Sequence, residues 1–242
     1  MPTLQVFDRI NTIETESTNG TSHQLQSLPY EQYFGEMEFL TEEEKEERIA
    51  LAKDLEDAMM FLFFMVVAQS SFDYMAAISS AEVKDRFREK MMDTISRHTE
   101  IDDDLLSQIN DFVDDTTDTT YEHLVILARL MEEPQPDTDK QYSEEFYLSD
   151  DRARLLAEEE SNTVFNYKGY ADAVLLGATT KTWITMRDAF VRKTHRPLED
   201  KTVPTTELFM VGESFMRFPR DQKFNAKLKE IIRCRCGVKY NR

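Results

Sequence analysis

The sequence predicts an α+β chain: an acidic N-terminal helical module followed by a small α+β domain with a short, mostly antiparallel sheet. Three observations carry this prediction. Helix-starting signals stand at Thr41-Glu-Glu-Glu44 and Ser149, and a helix-stopping glycine stands at Gly177. Strand-like alternation begins only after that glycine, at Lys181. Charge divides the chain in the same sense: residues 1–140 hold 32 acids and 11 bases, whereas residues 141–242 hold 15 acids and 18 bases. The net charge of −18 therefore conceals two surfaces suited to different partners. The basic one suits nucleic acid or an acidic protein, and a solvated face accounts equally for the acidic half.

Residues 1–30 include Thr-Glu-Ser-Thr-Asn-Gly-Thr-Ser, a polar run with little to pack, and are expected to form a flexible arm. Met1–Ile10 lacks the basic start and apolar core of a secretory signal. The acidic helical module spans 31–140. In it, Thr41 opens a long helix over 42–79 whose acidic first turn suits the helix dipole. The centre of this helix, Ala58–Ala68, is an apolar run of 11 residues where a membrane span needs roughly 20. It reads as a buried helix covered by neighbours, with Met59–Met65 as core; a docking face for a partner helix is the minor alternative. Shorter helices follow at 81–97, 102–113 and 119–132, with breakers at Asp114–Thr120 and Glu132–Asp139. The second breaker marks the domain boundary. Residues 141–242 form the second domain, whose helix runs from the Ser149 cap to Leu176. Strands are expected at Lys181–Met186, within Val203–Val211, at Phe215–Phe218 and within Ile231–Tyr240.

The rare residues gather late. The only Trp, both cysteines and the one His of the second half lie within 182–236. They form an ordered set: Lys181-x-Trp183-x-Thr185-x-x-Asp188-x-x-Val191-Arg192-x-x-His195, then Val203-Pro204, Phe209-x-Val211-Gly212-Glu213, Pro219-Arg220-Asp221 and Cys234-Arg235-Cys236. A helix from Ser149 carrying Glu160, Asn162 and Asn166 precedes them. In this order the last 90 or so residues resemble the C-terminal domain of the phage Mu F-like minor head proteins. The chain departs from that pattern at three places. Leu198-Glu199-Asp200 stands where the family tends to have Leu-Asp-Gly, so the turn after His195 must manage without glycine. Arg233 stands where Asn is common, and Glu158-Glu159 replaces the usual Arg-Thr before Glu160.

Taken as chemistry, the set has several readings. Asp188, Arg192 and His195 are spaced four and three apart, so one turn could join them either as a structural polar cluster or as an oriented general acid/base. His195, Cys234 and Cys236 supply three zinc-type ligands and Asp188 a fourth, although structural sites favour cysteines two to four residues apart. The default expectation is a pair of reduced, buried thiols near His195 with no metal and no cofactor; a redox pair is the alternative. The C-terminal segment should then lie beside the strand at 181–186, the crossing held by Asp188 and Arg192. Trp183 suits a core anchor packed on the helix at 150–176, or else a platform for stacking bases. Arg217, Arg220, Lys223, Lys227, Lys229, Arg233 and Arg235 could meet DNA phosphates or the acidic side chains of a protein.

The resemblance implies a minor capsid protein of a tailed bacteriophage, not an enzyme. It would associate with the portal protein inside the procapsid, assist head assembly and DNA packaging or delivery, and lie in the interior of the virion after assembly in the host cytoplasm. Further partners in this reading are the major capsid or scaffolding protein and packaged DNA, with no membrane. Two rivals remain: a nuclease or toxin-type effector carrying such a domain, and an acidic scaffolding-like protein. Residues 1–140 offer no His/Asp/Ser or glycine-rich constellation to support the first, whereas the acidic helical half is what suggests the second.

Overall fold

The computed structural model describes residues 29–70, 81–99, 103–132, 148–224 and 226–242. Most of the expected arm at 1–30 and all but Glu132 of the expected boundary at 132–139 lie outside them. The helices are α1 (Tyr30–Gly35), α2 (Glu42–Ser70), α3 (Ala81–His98), α4 (Asp103–Glu132) and α5 (Asp150–Leu175). They are followed by β1 (Thr180–Ile184), a 3-10 turn (Arg196–Leu198), β2 (Thr202–Pro204), β3 (Phe209–Val211), β4 (Ser214–Met216), α6 (Leu228–Ile231) and β5 (Gly237–Asn241). The α+β class is as expected: helices first, then small antiparallel sheets.

The helix starts follow their punctuation. The Glu44 amide donates to Thr41 Oγ1 at 3.2 Å and the Thr41 amide donates to Glu44 Oε2 at 2.8 Å, a reciprocal capping box. At α5 the Arg152 amide donates to Ser149 Oγ at 3.1 Å. This helix ends where Gly177 takes a φ of 73°, with Ala178 N–H on Ala173 C=O at 2.8 Å and Gly177 N–H on Val174 C=O at 3.1 Å. That pair of bonds satisfies the last carbonyls in the left-handed C-terminal motif that favours glycine.

One helical core joins α1 to α5. It contains Phe34 and Met37, the α2 face Leu51, Leu55, Met59 and Leu62, then Phe87, Met91 and Ile95 of α3, Ile109 and Phe112 of α4, and Ala153, Ala157, Val164 and Phe165 of α5. The Met-rich centre of α2 is therefore core, as the apolar run suggests, but its cover is not complete: Phe64 stays 69% exposed. The core also runs across the expected boundary, because α5 packs with the helices that precede it.

α4 differs from the sequence reading. It is one helix through Asp114–Thr120, where a breaker was expected. Buried Ile109, Phe112, Val113, Thr116, Thr117, Thr120 and Tyr121 recur at helical spacing, so the threonine methyls extend the apolar stripe. Tertiary burial overrides the weak helix preference of Thr and Asp here.

The C-terminal part has a three-stranded antiparallel sheet in the order β2-β1-β5 and a separate β3-β4 hairpin. In β1 only every second residue is buried, Lys181 and Trp183, the alternation of a half-covered strand. A second core forms under it from Trp183, Leu198, Phe209, Val211, Met216, Ile231, Cys234 and Cys236. Trp183 is fully buried in this second core, with its ring edge-on to Phe209 at 5.1 Å. It is Lys181 that meets α5, through the ring of Tyr170 at 5.3 Å.

Two of the three departures from the resemblance fall on left-handed backbone. Asp200 has φ 58° and Arg233 has φ 55°. A non-glycine residue pays for such a conformation with about 1–2 kcal/mol, less for Asp or Asn. Asp200→Gly removes that strain but adds chain entropy to the unfolded state, so the net expectation is a gain of about 0.5 kcal/mol, read from urea unfolding. A loss of stability would show that the contacts of the Asp200 carboxylate with Arg187 outweigh the backbone strain.

Candidate functional site

The loop from Thr185 to Leu198 is lashed to the end of the chain. Asp188 Oδ1 accepts the amides of Phe190 and Val191 at 2.9 and 3.0 Å, which turns the chain tightly. Its Oδ2 accepts from Arg235 Nη2 at 2.5 Å. Arg192 Nη2 donates to the Ile232 carbonyl. On the far side of the loop, Glu199 accepts the Thr185 amide at 2.6 Å. β5 completes the lashing by pairing with β1 from Thr180↔Asn241 to Ile184↔Gly237.

His195 enters the 3-10 turn at the centre of this arrangement, with its ring edge-on to Trp183 at 5.7 Å. Its Nδ1 lies 3.6 Å from Cys234 Sγ and 3.5 Å from Cys236 Sγ. Its Nε2 lies 3.1 Å from Glu230 Oε2, which also accepts from Thr194 Oγ1 at 2.7 Å. His195, Glu230 and both thiols are buried, and both cysteines are free. Gly212 makes room for Glu230: it turns the β3-β4 hairpin at φ 60°, and a Cβ there would stand 2.9 Å from Glu230 Oε1.

Electrostatics follow the contacts. Burial works to lower the pKa of His195, but Cys234 and Glu230 outweigh it and push the imidazole up to about 9. The neighbouring Cys236 thiol and His195 hold Cys234 down against its burial, while Cys236 goes up because Cys234 and burial both oppose its ionisation. The cluster favours one thiolate paired with one imidazolium. Among the described residues His195, Cys234 and Cys236 also form a group that could hold a metal ion.

Several expectations need correction. Asp188 and Arg192 do not orient His195; they hold backbone and Arg235, and the carboxylate on the imidazole is Glu230. For the same reason Asp188 is absent from the potential metal group. Glu230 escapes motif reading, yet it carries a signal: it is the only acid after Asp221 in a basic tail. The basic set also divides. Arg217 is buried in a two-pronged pair with Asp221, both contacts at 2.8 Å. Arg220 is fully buried, donating Nε to Thr163 Oγ1 at 2.6 Å and Nη1 to the Ile231 carbonyl at 3.0 Å, with Glu159 Oε2 at 3.4 Å. Neither can reach a phosphate. Lys227 pairs with Glu213, and Arg235 with Glu36 and Asp188. Lys223, Lys229 and Arg233 stay exposed.

The α5 residues of the motif reach the same place. Asn162 Nδ2 donates to the Cys234 carbonyl at 3.5 Å, Asn166 Nδ2 to the Pro219 carbonyl at 3.1 Å, and Glu159 Oε1 accepts the Arg233 amide at 2.8 Å. Glu160 is buried 3.9 Å from Arg220, and burial raises its pKa to about 7. Burial likewise raises Glu158 to about 8 and lowers Lys181, whose Nζ lies over the Phe209 ring at 5.3 Å, to about 8.

In comparisons with known proteins, no family model, no curated protein and no solved structure matches the chain.

Two outcomes test this electrostatic account. Arg220→Ala leaves Glu159 and Glu160 buried without their cation and should cost about 3–5 kcal/mol in chemical unfolding, whereas Lys227→Ala on an exposed pair should stay within about 0.5 kcal/mol. Glu158 has a folded pKa above its unfolded value, so its favourable contribution is complete below the unfolded pKa of 4.5 and is lost as pH rises towards about 8. Over that window the folded state binds more protons and stability falls with pH, by on the order of 5 kcal/mol. Glu158→Gln should flatten that part of the stability–pH curve; an unchanged slope would show that Glu158 titrates normally.

Proposed function

We propose that the chain is a minor head protein of a tailed bacteriophage that associates with the portal inside the procapsid and assists head assembly and DNA packaging or delivery. Convergence supports this reading. Glu160, Trp183, Asp188, Arg192, His195, Cys234 and Cys236 are spread over 77 positions of sequence, yet they and their direct partners make one continuous assembly, buried at His195 and the thiols and half-buried at Asp188 and Arg192. A chance likeness of scattered residues gives no reason for such a meeting. The role is binding rather than turnover: His195 and the thiols are at most 4% exposed, so a substrate has no approach to them. Of the seven basic residues singled out by the sequence, Arg217 and Arg220 are committed to internal pairs and Lys227 and Arg235 to salt bridges, which leaves Lys223, Lys229 and Arg233 and favours a protein partner over a long phosphate track through that set.

Tagged full-length protein should capture the portal protein encoded in the same genome from a co-expression lysate, and mass spectrometry of purified virions should detect the chain. Failure of capture together with absence from the virion would sink the reading. Presence in procapsids but not in mature virions would favour the scaffolding rival instead.

A further inference from the structure

The distances around His195 Nδ1 are those of a coordination site. Two sulfurs lie 3.6 and 3.5 Å from a single ring nitrogen. One ring nitrogen makes one in-plane hydrogen bond, accepting an S–H or donating to a thiolate, so a hydrogen bond explains one of these approaches well and the other poorly. A metal explains both. With Zn–S of about 2.3 Å and Zn–N of about 2.0–2.1 Å at the tetrahedral angle, sulfur and nitrogen ligands stand about 3.5–3.6 Å apart. All three ligand atoms lie within 4.8 Å of one another.

The surroundings fit the same ion. Glu230 holds the other ring nitrogen and is itself anchored by Thr194, the carboxylate–histidine arrangement that fixes the ring and its tautomer behind a metal. A divalent cation with two thiolates is neutral overall, which suits a buried position; on binding, two protons leave to solvent, one from the Cys236 thiol and one from the Cys234–His195 pair. The backbone is arranged for it too. Arg233, at φ 55°, sets the turn before Cys234, and alternation across Cys234-Arg235-Cys236 turns both sulfurs inward while Arg235 faces Asp188 and Glu36.

We propose that His195 Nδ1, Cys234 Sγ and Cys236 Sγ form a site for a zinc-class divalent cation, with Glu230 as the positioning residue behind the histidine. The ion clasps the end of the chain to the loop around residue 195, about 40 positions earlier. Among the described residues the group has three members, so a solvent oxygen takes the fourth position of the tetrahedron. This inference is independent of any role in a phage head.

Full-length protein, purified with a reductant and stripped with a chelator, is titrated with cobalt(II) and then zinc. One cobalt per chain should bind, with the intense visible bands of tetrahedral cobalt and a near-ultraviolet thiolate-to-cobalt band, and zinc should displace it. Because the chain has only 2 cysteines, that thiolate band can arise only here. Zinc should raise the melting temperature of the wild-type protein and leave that of the Cys234→Ser/Cys236→Ser variant unchanged. Glu230→Gln should weaken zinc binding by about 10–100-fold while keeping the cobalt spectrum. Folded wild-type protein that gives no thiolate band overturns the proposal, as does zinc binding that survives the double serine replacement undiminished. Should the serine variants fail to fold, the wild-type cobalt spectrum decides alone.

Discussion

The arrangement of the C-terminal half depends on one buried cation. Arg220 sits at the tip of a turn with φ 68° and is fully enclosed. A guanidinium at that depth is tolerated only when its donors are filled and its charge is met. Those partners come from two distant segments: Thr163 and Glu159 on α5, and the Ile231 carbonyl at the end of α6. Satisfying Arg220 therefore fixes where the 231–236 run passes over α5. Glu159 then accepts the Arg233 amide and Asn162 reaches the Cys234 carbonyl, so the backbone that carries the thiols is held at both edges. The thiol–histidine cluster inherits its geometry from this scaffold.

A second constraint is closure. Bringing Cys234 to His195 joins positions 39 apart, and the loop entropy lost must be offset by contacts made only after the ends meet. The structure spreads those contacts widely. β5 pairs with β1 along its length, Arg192 and Arg235 tie loop to tail, and Glu230 on α6 meets His195 and Thr194. Gly212 belongs to the same device, because any side chain there would displace the Glu230 carboxylate.

What was legible in the sequence was whatever is decided locally. Thr41, Ser149 and Gly177 end or begin helices through hydrogen bonds within a few residues, and all three act as their identities predict. Alternation at Lys181–Ile184 reads directly as a strand with one face covered. The neighbourhood of His195 and the two thiols was also legible, through a resemblance that already joined them. What was hidden depends on partners far along the chain. Asp114–Thr120 reads as a breaker until the burial of Thr116, Thr117 and Thr120 is known. Arg217 and Arg220 look like surface cations unless Asp221 and Glu159 are placed beside them. Glu230 lies in no spacing pattern with His195, since helix and loop bring them together from 35 positions apart.

The acidic run Glu158-Glu159-Glu160 shows how the two charge halves of the chain become one structure. Successive helical residues point about 100° apart, so three in a row cannot share a single face. All three are nonetheless buried, as are Ala157 and Ser161–Phe165 on either side. α5 is thus surrounded along its middle. Ser161 donates to the Arg48 carbonyl of α2 at 2.7 Å, and the Arg48 guanidinium lies 4.9 Å from the Phe165 ring. On another side Arg220 meets Glu159 and Glu160, and the Arg233 charge acts on Glu158. Apolar residues here would pack with less penalty, whereas a buried carboxyl, charged or neutral, needs a hydrogen-bonding or cationic partner beside it. The acids that make the helix costly to bury are therefore the groups that select which turn of the basic tail lies against it, and through that turn they set the position of Cys234.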